Sequence, residues 1–201
     1  MICASASPAS KPETPGPGTP NPPVPATPLT LSPMSPLALI FDCDGTLADT
    51  MPLHWQAWQV IQRRHNFHFP EDRFYSLGGV PSRDILAMLK AEQKLELNPI
   101  AVALEKEEAY LQNLAEVEPI HSVVEIARAS HGVLPMAVAS GGTQKVIELV
   151  LQHLRIRHLF GAVVTSEAVQ RQKPAPDIFL EAARQRGVDP RRCRAYEDTD
   201  L

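Results

Sequence analysis

The sequence predicts an α/β fold in which a parallel sheet carries an all-helical cap inserted after its first strand. Three observations carry that expectation. Short apolar runs at 37–41, 134–139 and 162–165 have the length and texture of buried strands, and 193–197 reads as a strand again. From residue 132 onward they alternate with helical patterns, the arrangement that builds right-handed β-α-β units. Between the first two runs, residues 50–131 show mainly helical periodicity.

Taken in chain order, the first 36 residues hold eleven of the 20 prolines, no aromatic, and only Lys11 and Glu13 as charges. Such a segment cannot bury enough apolar surface to offset its ordering entropy, so 1–36 is expected to be a disordered tail. Its Pro17–Pro20 and Pro22–Pro25 spacings favour extended polyproline conformations. They read as a solvated spacer, with a ligand for a proline-reading domain as the alternative. Order begins at Leu37. Helical patterns follow over 52–66, after Ser82 as a candidate cap, after Asn98-Pro99, and from Pro119 through Val123, Val124 and Ala127. The later strands are separated by helices carrying Val146, Ile147, Val150 and Leu151, and then Ile178, Phe179, Ala182 and Ala183. The expected organisation is a core domain from 37–49 and 132–201, with a cap from 50–131.

The net charge is −4 with both signs interspersed, which lacks the basic stripe that nucleic acid requires. No apolar run reaches the ~18 residues of a membrane span, and the N-terminus has no secretory or organellar pattern. Cys3, Cys43 and Cys193 have neither disulfide-framework nor zinc-site spacing. A cytoplasmic monomer is expected, with neither nucleic acid nor membrane as a partner.

Ligands of open parallel sheets collect outside the carboxyl ends of the strands. Those ends deliver Asp42 and Asp44, then Ser140, then Lys173 through a loop, then Glu197, Asp198 and Asp200. So many carboxylates beside one amine and one hydroxyl make chemical sense when a hard cation and an anionic oxygen ligand neutralise them, and magnesium with phosphate is the natural pair.

The string Asp42-Cys-Asp44-Gly45-Thr46 is the most specific signal, its four specified positions recurring by chance in about one window in 10^5. Asp42 can attack phosphorus to give an aspartyl-phosphate. Asp44, two residues on, can protonate the leaving alcohol and then deprotonate the attacking water. Gly45 permits a tight turn and Thr46 can donate to the phosphoryl group. Ser140 and Gly141, before a helix, offer a hydroxyl and a backbone amide to an anion, and Lys173 offers a point charge. Asp198 is the best metal ligand after Asp42, with Glu197 and Asp200 ligating or orienting it.

These motifs, in this order and at these spacings, resemble the haloacid dehalogenase superfamily in its β-phosphoglucomutase-like branch. The resemblance covers residues 37–201. Pro135-Met-Ala-Val138, Lys173-Pro-Ala-Pro-Asp177 and Tyr196-Glu-Asp198 are most similar to the bacterial fructose-1-phosphate phosphatases within it. The resemblance implies a HAD-like Rossmannoid core and a magnesium-dependent phosphatase acting on a small phosphorylated sugar. It implies Asp42 as nucleophile, Asp44 as acid/base, Ser140 and Lys173 as phosphate ligands, and Asp198 as magnesium ligand beside Asp42 and the Asp44 backbone carbonyl. Cys43, where relatives often carry Met or Leu, should face the strand packing. His54 and Arg83 are the polar cap candidates for reading the substrate.

A sugar-phosphate mutase is the alternative, because it uses the same aspartyl-phosphate. An inactive interaction protein with a proline-rich docking tail is a third reading, opposed by the intact first motif. A dehalogenase is disfavoured, since halide departure needs no carboxyl at Asp44. Family members continue past the acidic motif with a helix and a further strand. The resemblance therefore implies a C-terminally truncated core, with the 193–197 strand at the sheet edge, weak turnover and a tendency to aggregate.

Overall fold

Alternation along the strands decides how this sheet is covered. The structure, a computed structural model, describes residues 35–199. All but the last two residues of the expected tail, and Asp200, lie outside the described residues. β1 (Ala38–Phe41) is wholly buried and runs into the Asp42–Leu47 turn, after which β2 (Ala48–Asp49) leads into the insert. The insert carries α1 (Met51–His65), α2 (Glu71–Ser76), α3 (Ser82–Gln93) and α4 (Pro99–Leu111). The chain returns through β3 (Glu118–Pro119) and α5 (His121–Ser130). It then alternates through β4 (Met136–Ser140), α6 (Gln144–His153), β5 (Ala162–Thr165), α7 (Asp177–Gln185) and β6 (Cys193–Tyr196).

The four long strands form one parallel sheet in the order β5-β4-β1-β6. Phe41 lies beside Val138 on one side and Tyr196 on the other, so Asp42, Ser140 and Glu197 leave the same edge. The chain builds outward from β1 through β4 to β5 and then crosses back to place β6 on β1's other side. That reversal is the kind of switch point where open sheets bind ligands.

Because successive strand residues face opposite ways, Leu39 and Phe41 join Met136 and Val138 in one cluster with Val124 of α5 and Ile147, Val150 and Leu151 of α6. Ile40 faces the other side with Ala137, Ala139, Val164 and the α7 residues Ile178, Ala182 and Ala183. Both faces are thus covered, as a parallel sheet requires. β6 is one of the two edge strands among the described residues, with Arg194 and Ala195 exposed. The insert has its own core of Trp58, Ile61, Phe69, Phe74, Leu86 and Leu89. α5 packs on the sheet through Val124 and Ala127 rather than joining that core.

Asn98 caps α4 as expected, its Oδ1 accepting from the Ile100 and Ala101 amides at 3.0 and 3.2 Å. Two other helix starts differ. Ser82 is the first helical residue and makes no side-chain cap, because the boundary falls on Pro81 in extended conformation. Pro119 opens no helix; it pairs with Ala48 in the two-residue antiparallel ladder that closes the neck of the insert, and α5 starts at His121. A proline is tolerated there because the strand is short and at an edge. Among the described residues no helix is long and apolar enough to cross a membrane.

Candidate active site

The turn after β1 is wound around one carbonyl. Cys43 O accepts from the amides of Thr46, Leu47 and Ala48 at 3.3, 3.0 and 2.9 Å, which turns the chain back within five residues and leaves the Asp42 and Asp44 side chains at the sheet edge. Gly45 has φ +83°, and a Cβ there would collide with the Asp198 carboxylate. Glycine is therefore required both by conformation and by the close approach of a site residue. Cys43 is buried among the sheet residues, as expected. Thr46 is buried with its Oγ1 unpartnered among the described residues, and it does not reach the cavity wall.

Lys173 reaches in from the loop before α7. Its Nζ donates to Asp42 Oδ1 at 2.6 Å and to Glu197 Oε2 at 3.0 Å, with its side chain fully buried. Carboxylate oxygens of Asp42, Glu197 and Asp198 all lie within 4.8 Å of one another. Burial, reinforced by the charges of Glu197 and Asp44 and opposed by Lys173, pushes the Asp42 carboxyl above the usual carboxylate range. Burial and Glu197 raise Asp198 in the same way. Burial alone would lower Lys173, but the charges of Asp42 and Glu197 outweigh it and raise its proton affinity. Three carboxylates share a single ammonium here, and an all-oxygen donor set of this size fits a hard divalent cation.

Asp44 sits in the opposite electrostatic situation. Its Oδ1 accepts from Thr50 Oγ1 at 2.7 Å and from His54 Nε2 at 3.2 Å, and Ser140 Oγ approaches Oδ2 at 3.3 Å. Lys106 Nζ lies 2.8 Å from His54 Nδ1. An ammonium can only donate, so Nδ1 is the acceptor and the ring proton resides on Nε2, directed at Asp44. Tyr110 stacks on the imidazole at 4.0 Å. Burial would raise Asp44, yet the hydrogen bonds from His54 and Thr50 and the charge of Lys106 hold it well below the usual carboxylate range. Burial, with Lys106 adding, lowers His54, and burial brings Lys106 down to about 8.

Of the residues anticipated from sequence, Asp42, Asp44, His54, Arg83, Ser140 and Gly141 line one cavity of about 300 Å³. Lys173, Glu197 and Asp198 back it through Asp42. Ser140 ends β4 and its Oγ accepts from the Gly142 amide at 3.1 Å, while α6 starts only at Gln144. A Cβ on Gly141 would run into the Gly79 carbonyl, and one on Gly79 would lie 2.8 Å from Lys173 Cδ. The loop after α2 therefore rests directly on the sheet edge. Thr50, Lys106 and Tyr110 were not anticipated. A signal existed for two of them: Val102, Lys106 and Tyr110 fall at four-residue intervals on the buried stripe of α4, and a lysine on such a stripe faces inward.

A family model described as haloacid dehalogenase-like hydrolase matches residues 39–200. The fructose-1-phosphate phosphatase YqaB of Escherichia coli K12 is 39% identical over 164 residues, covering 81% of this chain and 87% of its own. A phosphorylated carbohydrates phosphatase of Thermotoga maritima is 26% identical over 166 residues, covering 81% and 76%. Among solved structures, a β-phosphoglucomutase from Clostridium difficile superposes with a TM-score of 0.68 at 25% identity, over 79% of this chain and 74% of that one. On the strength of a match across nearly every described residue, the chain belongs to the haloacid dehalogenase-like hydrolases.

Proposed function

We propose that this phosphatase hydrolyses a small phosphorylated sugar of the fructose 1-phosphate kind through a phosphoryl group carried on Asp42. The observation that carries the reading is the contrast between two carboxyls two residues apart. Asp42 is bound to a buried lysine within a cluster of carboxylates, whereas Asp44 is held by Thr50, His54 and Ser140. Two carboxyls whose surroundings push them apart take different chemical roles.

In the first half-reaction an Asp42 oxygen attacks phosphorus, the bond from phosphorus to the leaving oxygen breaks, and Asp44 gives that oxygen its proton. A phosphoryl dianion beside Asp44 raises its proton affinity from the low resting value. In the second, Asp44 takes a proton from water, the water oxygen attacks phosphorus, and the Asp42 carboxylate leaves. Lys173 and Ser140 hold the phosphoryl oxygens, and His54, oriented by Lys106, fixes the Asp44 carboxyl. Asp42, Glu197 and Asp198 would hold magnesium, which when bound keeps Asp42 ionised and draws charge from the transferring group. The core from 37–49 and 132–199, with α5 packed on its sheet, carries this chemistry, and the helices α1 to α4 of the insert cover it and present His54 and Arg83.

A mutase would return the phosphoryl group to a sugar rather than to water, and the likeness to β-phosphoglucomutase keeps that reading testable. Free Cys43 and Cys193 are consistent with a cytoplasmic setting. The experiment is turnover of fructose 1-phosphate and related hexose phosphates with magnesium and with a chelator. Inorganic phosphate released with magnesium and not with the chelator supports the reading. A rearranged sugar phosphate without free phosphate identifies a mutase, and metal-independent turnover removes the magnesium assignment.

A further inference from the structure

The mechanism leaves one part of the cavity wall without a task. Glu107, from α4 of the insert, and Ser166 and Glu167, from the turn after β5, all line the cavity that holds Asp42 and Asp44. Ser166 is 2% exposed, yet its Oγ has no hydrogen-bond partner among the described residues. The hydroxyl of Tyr110, on the same cavity and fully buried, is likewise unpartnered. Buried hydroxyls are nearly always satisfied in folded proteins, and the Thr143 hydroxyl on the same cavity is unpartnered too, so three orphans on one cavity point to a ligand carrying hydrogen-bonding groups of its own.

Glu107 supplies the complementary acceptor. Its carboxyl is half-buried and burial raises it, with Lys106, the neighbouring Thr143 side chain and Lys145 opposing and Glu167 adding to the rise. Much of the remaining insert wall is apolar, including Trp58, Val80 and Leu104, which suits the carbon face of a compact ring or chain but none of its hydroxyls.

We propose that Glu107 and Ser166 are the specificity pair of this site, reading hydroxyls on the leaving group so that phosphate monoesters of polyhydroxy alcohols are selected over those of simple alcohols. The inference rests on the phosphatase reading above and assigns residues to its selectivity. A carboxylate accepts from one or two hydroxyls while the serine hydroxyl donates or accepts as needed. An ester lacking these hydroxyls leaves both groups desolvated and unpaired, and that is how a polar pocket rejects a ligand.

The test compares fructose 1-phosphate with ethyl phosphate on the magnesium-loaded chain, its Glu107→Leu and Ser166→Ala variants, with thermal melts to establish folding. The ratio of kcat/KM for the two esters should fall about 10- to 100-fold in Glu107→Leu, the range of a lost hydrogen bond to a charged group, and less in Ser166→Ala. A second readout is calorimetric binding of both esters to the Asp42→Asn chain, with and without Glu107→Leu. Equal losses for both esters, or an unchanged ratio, overturn the inference and leave hydrolysis standing. Absent turnover with preferential binding of fructose 1-phosphate that Glu107→Leu abolishes overturns hydrolysis and leaves the inference standing. Absence of both turnover and binding overturns both.

Discussion

Two aspartates separated by one cysteine end up in opposite states because of what the folded chain brings to each. Asp42→Asn should lower kcat by several orders of magnitude while leaving the melting temperature within a few degrees, since the amide still accepts from Lys173; near-normal steady-state turnover would remove Asp42 as nucleophile. Lys106 offers a sharper case. Its folded value, near 8, lies below the ordinary 10.5, so between those limits the unfolded chain binds more protons and this group's contribution to stability rises with pH. The buried ammonium is thus a cost to the fold, retained for His54. Lys106→Met should stabilise the chain by on the order of 2 kcal/mol in urea unfolding near pH 7 and lower kcat/KM at least tenfold. The wild-type rate should fall as pH rises through about 8, where Lys106 becomes an uncharged amine that accepts as well as donates and no longer fixes the imidazole tautomer, and the variant should lack that limb. Unchanged activity in Lys106→Met would contradict the chain of hydrogen bonds from Lys106 to Asp44. Asp42, Asp44, Ser140 and Asp198 were legible as candidates because each sits at or near a strand end, where the fold class directs attention, and Lys173 because the long loop after β5 leaves from the same edge. Lys106 was not, because it meets His54 across 52 residues of sequence, and only packing of α4 on α1 brings the two together.

At the scale of elements, short apolar runs identified β1, β4 and β5, since a buried parallel strand needs a continuous apolar stretch, whereas β6, which carries Arg194 and is half-exposed, was read from its place in the alternation of strands and helices. Helix starts were less legible. Asn98 was read correctly because its side chain does the capping, and Asn98→Ala should cost about 1 kcal/mol in thermal or urea unfolding. Pro119 misled because proline fits both the first turn of a helix and the end of a short edge strand, and the partner that decides, Ala48, is remote in sequence. The contact between the insert and the sheet at Gly79 and Gly141 carries its own prediction. Gly141→Ala places a methyl against the Gly79 carbonyl, so the loop over the site must lift. We expect at least a tenfold loss in kcat/KM with little change in unfolding midpoint; full activity would show that this approach is not needed for turnover.

For the molecule as a whole, the sheet's four ends and one inserted set of helices assemble a site that no single segment contains, and the weakest support lies under the acidic motif. β6 pairs with β1 alone among the described residues, and Arg194 and Ala195 are exposed, so its amides should exchange with deuterium before those of β1 and β4. Magnesium held by Glu197 and Asp198 should slow that exchange selectively, whereas equal protection with and without the ion would argue against metal binding at this edge. The central claim, however, is that phosphoryl transfer passes through Asp42. It is tested most directly by treating the Asp44→Asn chain with p-nitrophenyl phosphate and magnesium, quenching in acid, and locating any adduct by peptide mass spectrometry. An activated leaving group needs little help from an acid, while hydrolysis without Asp44 is slow, so a phosphoryl group should accumulate on Asp42. Nitrophenol released over many turnovers with Asp42 unmodified, or an adduct on another residue, would contradict the account.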